Sequence, residues 1–254
     1  MGDFGPITLA PTTNAPNLAV VGLTRGNGVG TSGTGATGGW GGTGFTSPSA
    51  AIAVNADQFV TFSLTASNGY KVSFSSVSRF DYRRSTKGPS DGLLQFQVGS
   101  GAFTDITDLS YPTDSTAGAS IGAIDLAGFA PLQNVGANTK VTFRIVNFDG
   151  TDSGGTWYIY DKSHTTAPDF AIQGTVAQVL APALAPVFSL LSFTNHQFRF
   201  TVTGSAGTNY AVQAATNLAG PVWIPVATNL APFQFIESNA VCFQQRFYRA
   251  TTAP

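Results

Sequence analysis

The sequence predicts an all-β protein built from two β-sandwiches, and three observations predict it. Only 10% of its 254 residues are charged, and Glu237 is the only glutamate. Exposed helix faces are usually built from Glu, Lys, Gln and Arg, so this composition excludes a helix-rich fold. Apolar residues alternate with Thr and Ser in many short runs, as in residues 59–65, which is the pattern of half-buried strands. Residues that favour turns separate these runs.

The candidate strands of the first part of the chain follow this alternation in order. They are residues 59–65, 70–74, 78–83, 93–98, 140–148, 156–160 and 170–176. Residues 50–57 and 124–134 are the only stretches that predict a turn or two of helix. Short strands spaced by turns are typical of a sandwich rather than of alternating strands and helices. We therefore predict a β-sandwich domain over residues 46–176.

The first 45 residues have a different texture. Residues 22–44 are a glycine tract, which is too flexible for a helix or a central strand. We expect residues 1–45 to form an arm or a loop packed on the first domain. Trp40 stands alone among these glycines, and we expect it either to anchor the tract on its own domain or to dock into a neighbouring molecule.

A second domain follows residue 176. Residues 177–187 are rich in Ala and Pro and predict an extended linker. Beyond the linker, candidate strands are residues 197–203, 209–215, 222–227, 233–237 and 246–249. This number of strands in so short a segment predicts a small immunoglobulin- or fibronectin-like sandwich over residues 188–254.

Several motifs resemble those of bacterial surface proteins. FDYRRS at residues 80–85, Gly88-Pro89 and GTWYI at residues 155–159 resemble a jelly-roll-type sandwich of such proteins. RFYRA at residues 246–250 resembles the end of a small domain found in secreted proteins of environmental Gram-negative bacteria, some of which carry a Pro-Glu-Pro sorting tail. The resemblance implies a jelly-roll-like first sandwich and export to the cell surface, and it brings no established activity.

Composition also bounds the partners and the location. A net charge of −1 provides no field for a phosphate backbone, so we expect no nucleic-acid partner. No run of 18 apolar residues is present, so no membrane-spanning helix is expected. The first residues lack the pattern of a signal peptide, which is expected for an intracellular protein or for the mature form of an exported one. The single cysteine excludes an intrachain disulfide and a cysteine-based zinc site.

Motifs that could carry catalysis lack their structural context, so we predict no catalytic residues and no enzyme. Residues 28–33 match the G-x-G-x-x-G pattern only within a glycine tract. Residues 88–92 match a nucleophile elbow around Ser90, but a strand rather than a helix follows. His164 and His196, the only histidines, are expected in turns. No pair of carboxylates is marked for glycoside hydrolysis.

Two binding sites are candidates. In the strand at residues 156–160, either Trp157 or the pair Tyr158 and Tyr160 should face outward, and with Trp40 they are candidate sugar-binding aromatics. Close packing within the protein is the alternative. A calcium ion is the possible cofactor, and its candidate ligands lie in one Asp-Gly loop, although an ordinary hairpin turn explains that loop as well. These ligands are Asn147, Asp149 and Asp152.

These observations favour a secreted, non-enzymatic structural protein of the cell surface or extracellular matrix. Strands with so few charges have little protection against edge-to-edge pairing, so self-association into a filament or layer, through strand edges or the N-terminal arm, is expected. Other cell-surface components are alternative partners. A carbohydrate-binding, adhesin-like module that recognises polysaccharide is the first alternative function, and a hydrolase is the second.

Overall fold

The computed structural model describes residues 4–112, 114–180 and 182–253, and it confirms the all-β prediction. The chain divides into two compact units, Met1–Val179 and Leu180–Pro254. Each unit has its own apolar core, and all the strand pairs described below are antiparallel. Among the described residues, no helix is long and apolar enough to cross a membrane.

Unit 1 consists of two sheets and one short helix. Its strands are β1 (Thr8–Leu9), β2 (Leu18–Arg25), β3 (Gly39–Thr43), β4 (Phe59–Ala66), β5 (Tyr70–Arg84), β6 (Asp91–Val98), β7 (Thr104–Ser110), β8 (Ala119–Ile121), β9 (Ile124–Asp125), β10 (Val135–Gly136), β11 (Lys140–Phe148), β12 (Thr156–Tyr160) and β13 (Phe170–Gln178). Helix α1 is Ala50–Asn55, and a 3₁₀ turn covers Ala130–Leu132. One sheet has the order β1-β2-β4-β11-β6-β7, and the other has β10-β5-β12-β3 with β8, β9 and β13 also paired to β5.

Aromatic side chains hold the two sheets of unit 1 together. Phe143 stacks on Phe62 of the neighbouring strand at 5.0 Å between ring centroids, and Phe74 of the opposite sheet meets Phe143 edge-on at 5.3 Å. Trp157 is fully buried and contacts Phe80 edge-on at 6.2 Å. Such pairs add specific geometry to the burial of large apolar surfaces. The core of unit 1 is therefore a layer of interlocked aromatic rings.

Residues 4–45 contribute three strands to the sheets of unit 1, where an arm or a loop was expected. The glycine tract contains the end of β2, which lies between β1 and β4, and the whole of β3. The buried guanidinium of Arg25 donates hydrogen bonds to the carbonyl oxygens of Phe4, Pro6 and Gly41. Because a buried charge is unfavourable unless hydrogen-bonded, these bonds hold the N-terminal segment on the sheet.

Glycine is required in β3 because this strand lies very close to β12. A Cβ atom on Gly41 would lie 1.9 Å from the carbonyl oxygen of Trp157. A Cβ on Gly39 would lie 3.1 Å from the ring of Tyr158. The tract that suggested flexibility instead permits close packing of a backbone against an aromatic strand.

Unit 2 consists of two three-stranded sheets. Its strands are β14 (Val187–Thr194), β15 (Gln197–Thr203), β16 (Asn209–Ala215), β17 (Ile224–Leu230), β18 (Phe233–Glu237) and β19 (Phe247–Thr252). The sheet orders are β14-β15-β18 and β17-β16-β19. Phe200, Val202 and Tyr210 lie in the core. Asn195 and His196, both with positive φ, form the turn between β14 and β15, and His196 thus lies in a turn as expected.

The sequence-predicted elements of unit 1 agree with the structure except at a few boundaries. The expected strands at residues 70–74 and 78–83 are parts of one long β5, because no glycine, proline, asparagine or aspartate separates them. The helix expected within residues 50–57 is α1. Residues 124–134 form no α-helix, since a glycine and a proline interrupt this stretch.

The segment that joins β13 to β14 is shorter than expected. The expected linker was residues 177–187, but β13 extends to Gln178 and β14 begins at Val187.

We predict that Gly41→Ala destabilises unit 1 by about 1–3 kcal/mol, since the new methyl group must displace the backbone of β12. The matched control is Gly136→Ala, also in a strand, where a Cβ meets nothing within 4 Å. This control should change the free energy of unfolding by less than about 0.5 kcal/mol. Denaturant unfolding followed by tryptophan fluorescence measures both, and equal effects would contradict the close packing of β3.

Candidate functional site

The aromatic residues of the expected sugar platform lie inside the protein. Trp157 faces the core between the two sheets, and Tyr158 and Tyr160 are buried on the opposite face of β12. Phe4 stacks on Tyr158 at 5.8 Å between centroids. Alternation along β12 required one set to face outward, but the N-terminal segment covers that outer face. These residues therefore present no open stacking surface to a polysaccharide.

Trp40 anchors the glycine tract on its own domain. Its indole Nε1–H donates a hydrogen bond to the carbonyl oxygen of Pro6 at 2.8 Å. The guanidinium carbon of Arg25 lies 4.6 Å from the centre of its ring, a cation–π contact. Trp40 is buried, so its ring is not presented to a neighbouring molecule. Of the two expected roles, anchoring the tract on its own domain agrees with this position.

The three candidate calcium ligands have different hydrogen-bond partners. A carboxylate oxygen of Asp149 lies 3.2 Å from the Ser90 hydroxyl. The buried side-chain oxygen of Asn147 accepts a hydrogen bond from the Tyr111 hydroxyl at 2.9 Å. Asp152 is exposed and forms an ion pair of 2.8 Å with Lys87, and this hydrogen-bonded partner lowers the pKa of Asp152 below its ordinary value. Among the described residues, no group of three or more His, Cys, Asp and Glu side chains is arranged to hold a metal ion.

The residues of the hydrolase hypothesis also have separate environments. The Ser90 hydroxyl donates to Asp91 at 2.6 Å and lies 3.2 Å from a carboxylate oxygen of Asp149. His164 is exposed in a turn with positive φ, as expected, and its Nδ1 atom lies 3.9 Å from Asp161. Neither side chain contacts the other, so the structure brings together no nucleophile and base at these positions.

Asp81 has an arginine two positions away on either side, and it forms an ion pair with only one of them. Asp81 is buried and pairs with Arg79 at 2.7 Å, while the guanidinium carbon of Arg83 lies 5.1 Å from the ring centre of Tyr160. Both arginines are two residues from Asp81 on the same side of β5, so alternation could not distinguish them.

A pair of carboxylates near this ion pair was not anticipated from the sequence. Asp161 and Asp169 each have one side-chain oxygen, Oδ1, that is buried and has no hydrogen-bond partner. Burial raises the pKa of Asp169 above its ordinary value, and the charges of Asp161 and Asp81 raise it further, whereas Arg79 lowers it. The two residues lie eight positions apart in sequence, in a polar stretch that looked like an ordinary exposed loop.

In unit 2, the edge strand β14 exposes an apolar surface. It pairs with β15 on one side only. Four of its eight side chains are large, apolar and at least half exposed: Val187, Leu190, Leu191 and Phe193. Leu190 is 79% exposed and has a positive φ, at a register shift between Ser189 and Ser192. The strand contains no charged residue and no proline.

Sequence reasoning missed β14 because the register shift interrupts its alternation. Phe188 packs against the core, with its ring 4.4 Å from that of Phe200 between centroids. The adjacent pair Leu190 and Leu191 then breaks the two-residue period. The signal that was available is compositional: eight residues rich in strand formers, without charge or proline, directly before the turn at residues 195–196.

No protein-family model and no curated protein matches this chain.

We predict that the unfolding midpoint of the protein is the same with added calcium as with EDTA, because Asn147, Asp149 and Asp152 do not converge. Differential scanning fluorimetry measures both conditions. A calcium-dependent rise that disappears in Asp152→Asn would contradict this prediction and restore the calcium hypothesis.

We predict that Asp169→Asn raises the unfolding midpoint at neutral pH. The raised pKa means that the folded state disfavours the ionised carboxylate, so this penalty is complete above the folded-state pKa. The gain should shrink as the pH falls through that pKa and vanish below the ordinary value of 3.8, where both states are protonated. Thermal unfolding across pH tests this, with the exposed Asp108→Asn as control. A variant less stable than wild type at neutral pH would contradict it.

Proposed function

We propose that the chain is a non-enzymatic structural protein of the cell surface or extracellular matrix, and that two copies associate through the edge of β14. The observation that carries the proposal is the exposed, uncharged, apolar edge of this strand. Such an edge offers unpaired N–H and C=O groups together with apolar side chains, which is a template for pairing with another strand.

The scarcity of charge is concentrated in unit 2. Its charged side chains are Arg199, Glu237, Arg246 and Arg249. Glu237 and Arg246 form an ion pair of 3.3 Å and both are largely buried. Arg249 donates to a glutamine at 2.7 Å and lies over Trp223. Electrostatic repulsion therefore does little to keep two copies of unit 2 apart.

Comparison with the other edge strands supports β14 as the associating edge. Strand β7 carries Asp105 and Asp108, β17 contains Pro225, β18 ends in Glu237 and β19 contains Arg249. Charges and prolines on an edge are common devices against pairing. The uncharged edge of β3 is partly covered by a bridge between Gly30 and Thr43, and β1 and β10 have two residues each. The edge of β13 is also uncharged, but this strand exposes no large apolar side chain.

The partner that fits best is a second copy of the same chain. Antiparallel pairing of β14 with itself places Leu190 and Leu191 of each copy near the symmetry axis, where their exposed surfaces bury each other. A two-fold interface uses the same patch on both copies and needs no other component. The extracellular location is supported by the resemblance of FDYRRS and RFYRA to bacterial surface proteins.

The test is Leu191→Lys, which places two like charges close together in the paired state. We predict that wild type shows concentration-dependent dimerisation in sedimentation velocity. The variant should raise the dissociation constant of the dimer at least tenfold, which corresponds to a loss of about 1.4 kcal/mol of binding free energy. The charge is introduced on an already exposed side chain, 60% accessible, so the fold is retained.

The matched control is Val222→Lys, since Val222 is 75% exposed but lies outside any strand. This change removes a similar apolar surface and adds the same charge without touching an edge. The control should dimerise like wild type. A wild-type protein that stays monomeric at high concentration, or equal losses in both variants, would overturn the role of β14.

A further inference from the structure

The sandwich of unit 1 is open along one side. A cleft of about 870 Å³ lies there between the two sheets, bordered by the strands β1 and β2 of one sheet and β13 of the other. This volume is within the range of small-molecule sites, about 300–1,000 Å³. Residues 10–15 and residues 165–169 frame its opening.

The walls of the cleft are apolar and incompletely covered. Val20 and Leu64 line one wall, and Val72, Ile172 and Val176 line the other. Leu64 and Val72 are buried, but Val20, Ile172 and Val176 are only half-buried although they belong to the core packing. A ligand that covers this surface removes apolar area from water, which is favourable.

The polar lining of the cleft includes the carboxylates Asp161 and Asp169. Each has a buried Oδ1 atom without a hydrogen-bond partner. A partly buried carboxylate with an incomplete set of donors is unfavourable, and a positive charge beside it offsets part of that cost. Two carboxylates in the lining of one apolar cleft therefore favour a cationic group there.

Of the cationic groups nearest to these carboxylates, two are hydrogen-bonded to other residues, and the third is a largely exposed histidine. Arg79 is bound to Asp81 at 2.7 Å and to Ser163 at 2.8 Å. Lys162 donates to a serine hydroxyl at 3.1 Å. The His164 ring lies 3.9 Å from Asp161 and is largely exposed. The carboxylate end of the cleft is therefore acidic, and it complements a positive charge.

We infer that this cleft binds a small molecule that has an apolar chain or ring and one amino group. The apolar part lies between the sheets, and the ammonium group pairs with the carboxylates of Asp161 and Asp169, which line the cleft. An ammonium has three donors, enough for both carboxylates, and such charge-assisted hydrogen bonds are stronger than neutral ones.

The experiment uses three probes with the same eight-carbon chain: n-octylamine, 1-octanol and octanoate. Isothermal titration calorimetry on the whole protein should show one octylamine site per chain. Octylamine should bind about tenfold or more tightly than octanol, and octanoate should bind least. In the double variant Asp161→Asn/Asp169→Asn, octylamine should fall to the affinity of octanol, while octanol itself is unchanged.

A second variant locates the site. Val20→Trp fills the cleft and should abolish binding of both octylamine and octanol. Its control is Val98→Trp, because Val98 is also a half-buried strand valine on the same core but does not line the cleft. This control should bind like wild type. Circular dichroism verifies that both variants fold.

Three results would overturn the inference. Binding of octylamine that survives Val20→Trp in a folded protein places the site elsewhere. Equal affinity for octylamine and octanol in wild type removes the role of Asp161 and Asp169. An absence of binding by all three probes rejects the cleft as a ligand site. None of these results depends on whether β14 pairs, so they are distinct from a failure of the proposed association.

Discussion

The architecture of unit 1 depends on one buried guanidinium. Arg25 ends β2 and reaches the carbonyl oxygens of Phe4 and Gly41, and it lies against Trp40. It thereby ties the N-terminal segment, β2 and β3 into one layer. Without that layer, the outer face of β12 would be open and Tyr158 would be accessible. The same interaction therefore has two consequences: the segment from Phe4 to β3 is part of the sandwich, and the aromatic strand β12 that was expected to form a sugar platform is interior.

The two units manage their strand edges in different ways. Unit 1 protects most of its edges with very short strands, with aspartates on β7, and with the N-terminal segment near β3, and its open strand β13 exposes no large apolar side chain. Unit 2 has few charges to place and leaves β14 without any. The low charge of the chain therefore has different consequences in the two units. It has little structural effect where other devices protect the edges, and it leaves an exposed apolar edge in β14, where they are missing.

Local pattern predicted the sandwich strands well, because β4 and β11 are half-buried and alternate regularly. It failed where the environment of a residue is set by distant parts of the chain. Tyr158 is buried by Phe4, which lies 154 positions earlier in the sequence. Asp161 and Asp169 are notable only because their loop folds over a cleft formed by β2 and β13. Strand β14 was missed because its register shift removes the periodicity on which the prediction depends.

The geometry of β14 also limits the size of an assembly that forms through this strand. When β14 pairs with β14 of a second copy, both edges are occupied. A two-fold contact of this kind joins two copies and leaves no edge of β14 for a third. The register shift at Leu190 shortens the straight part of the strand on either side, which restricts the paired ladder to a few residues. A layer or filament made from this protein would therefore grow from dimers, and its second set of contacts would have to come from another surface of the chain.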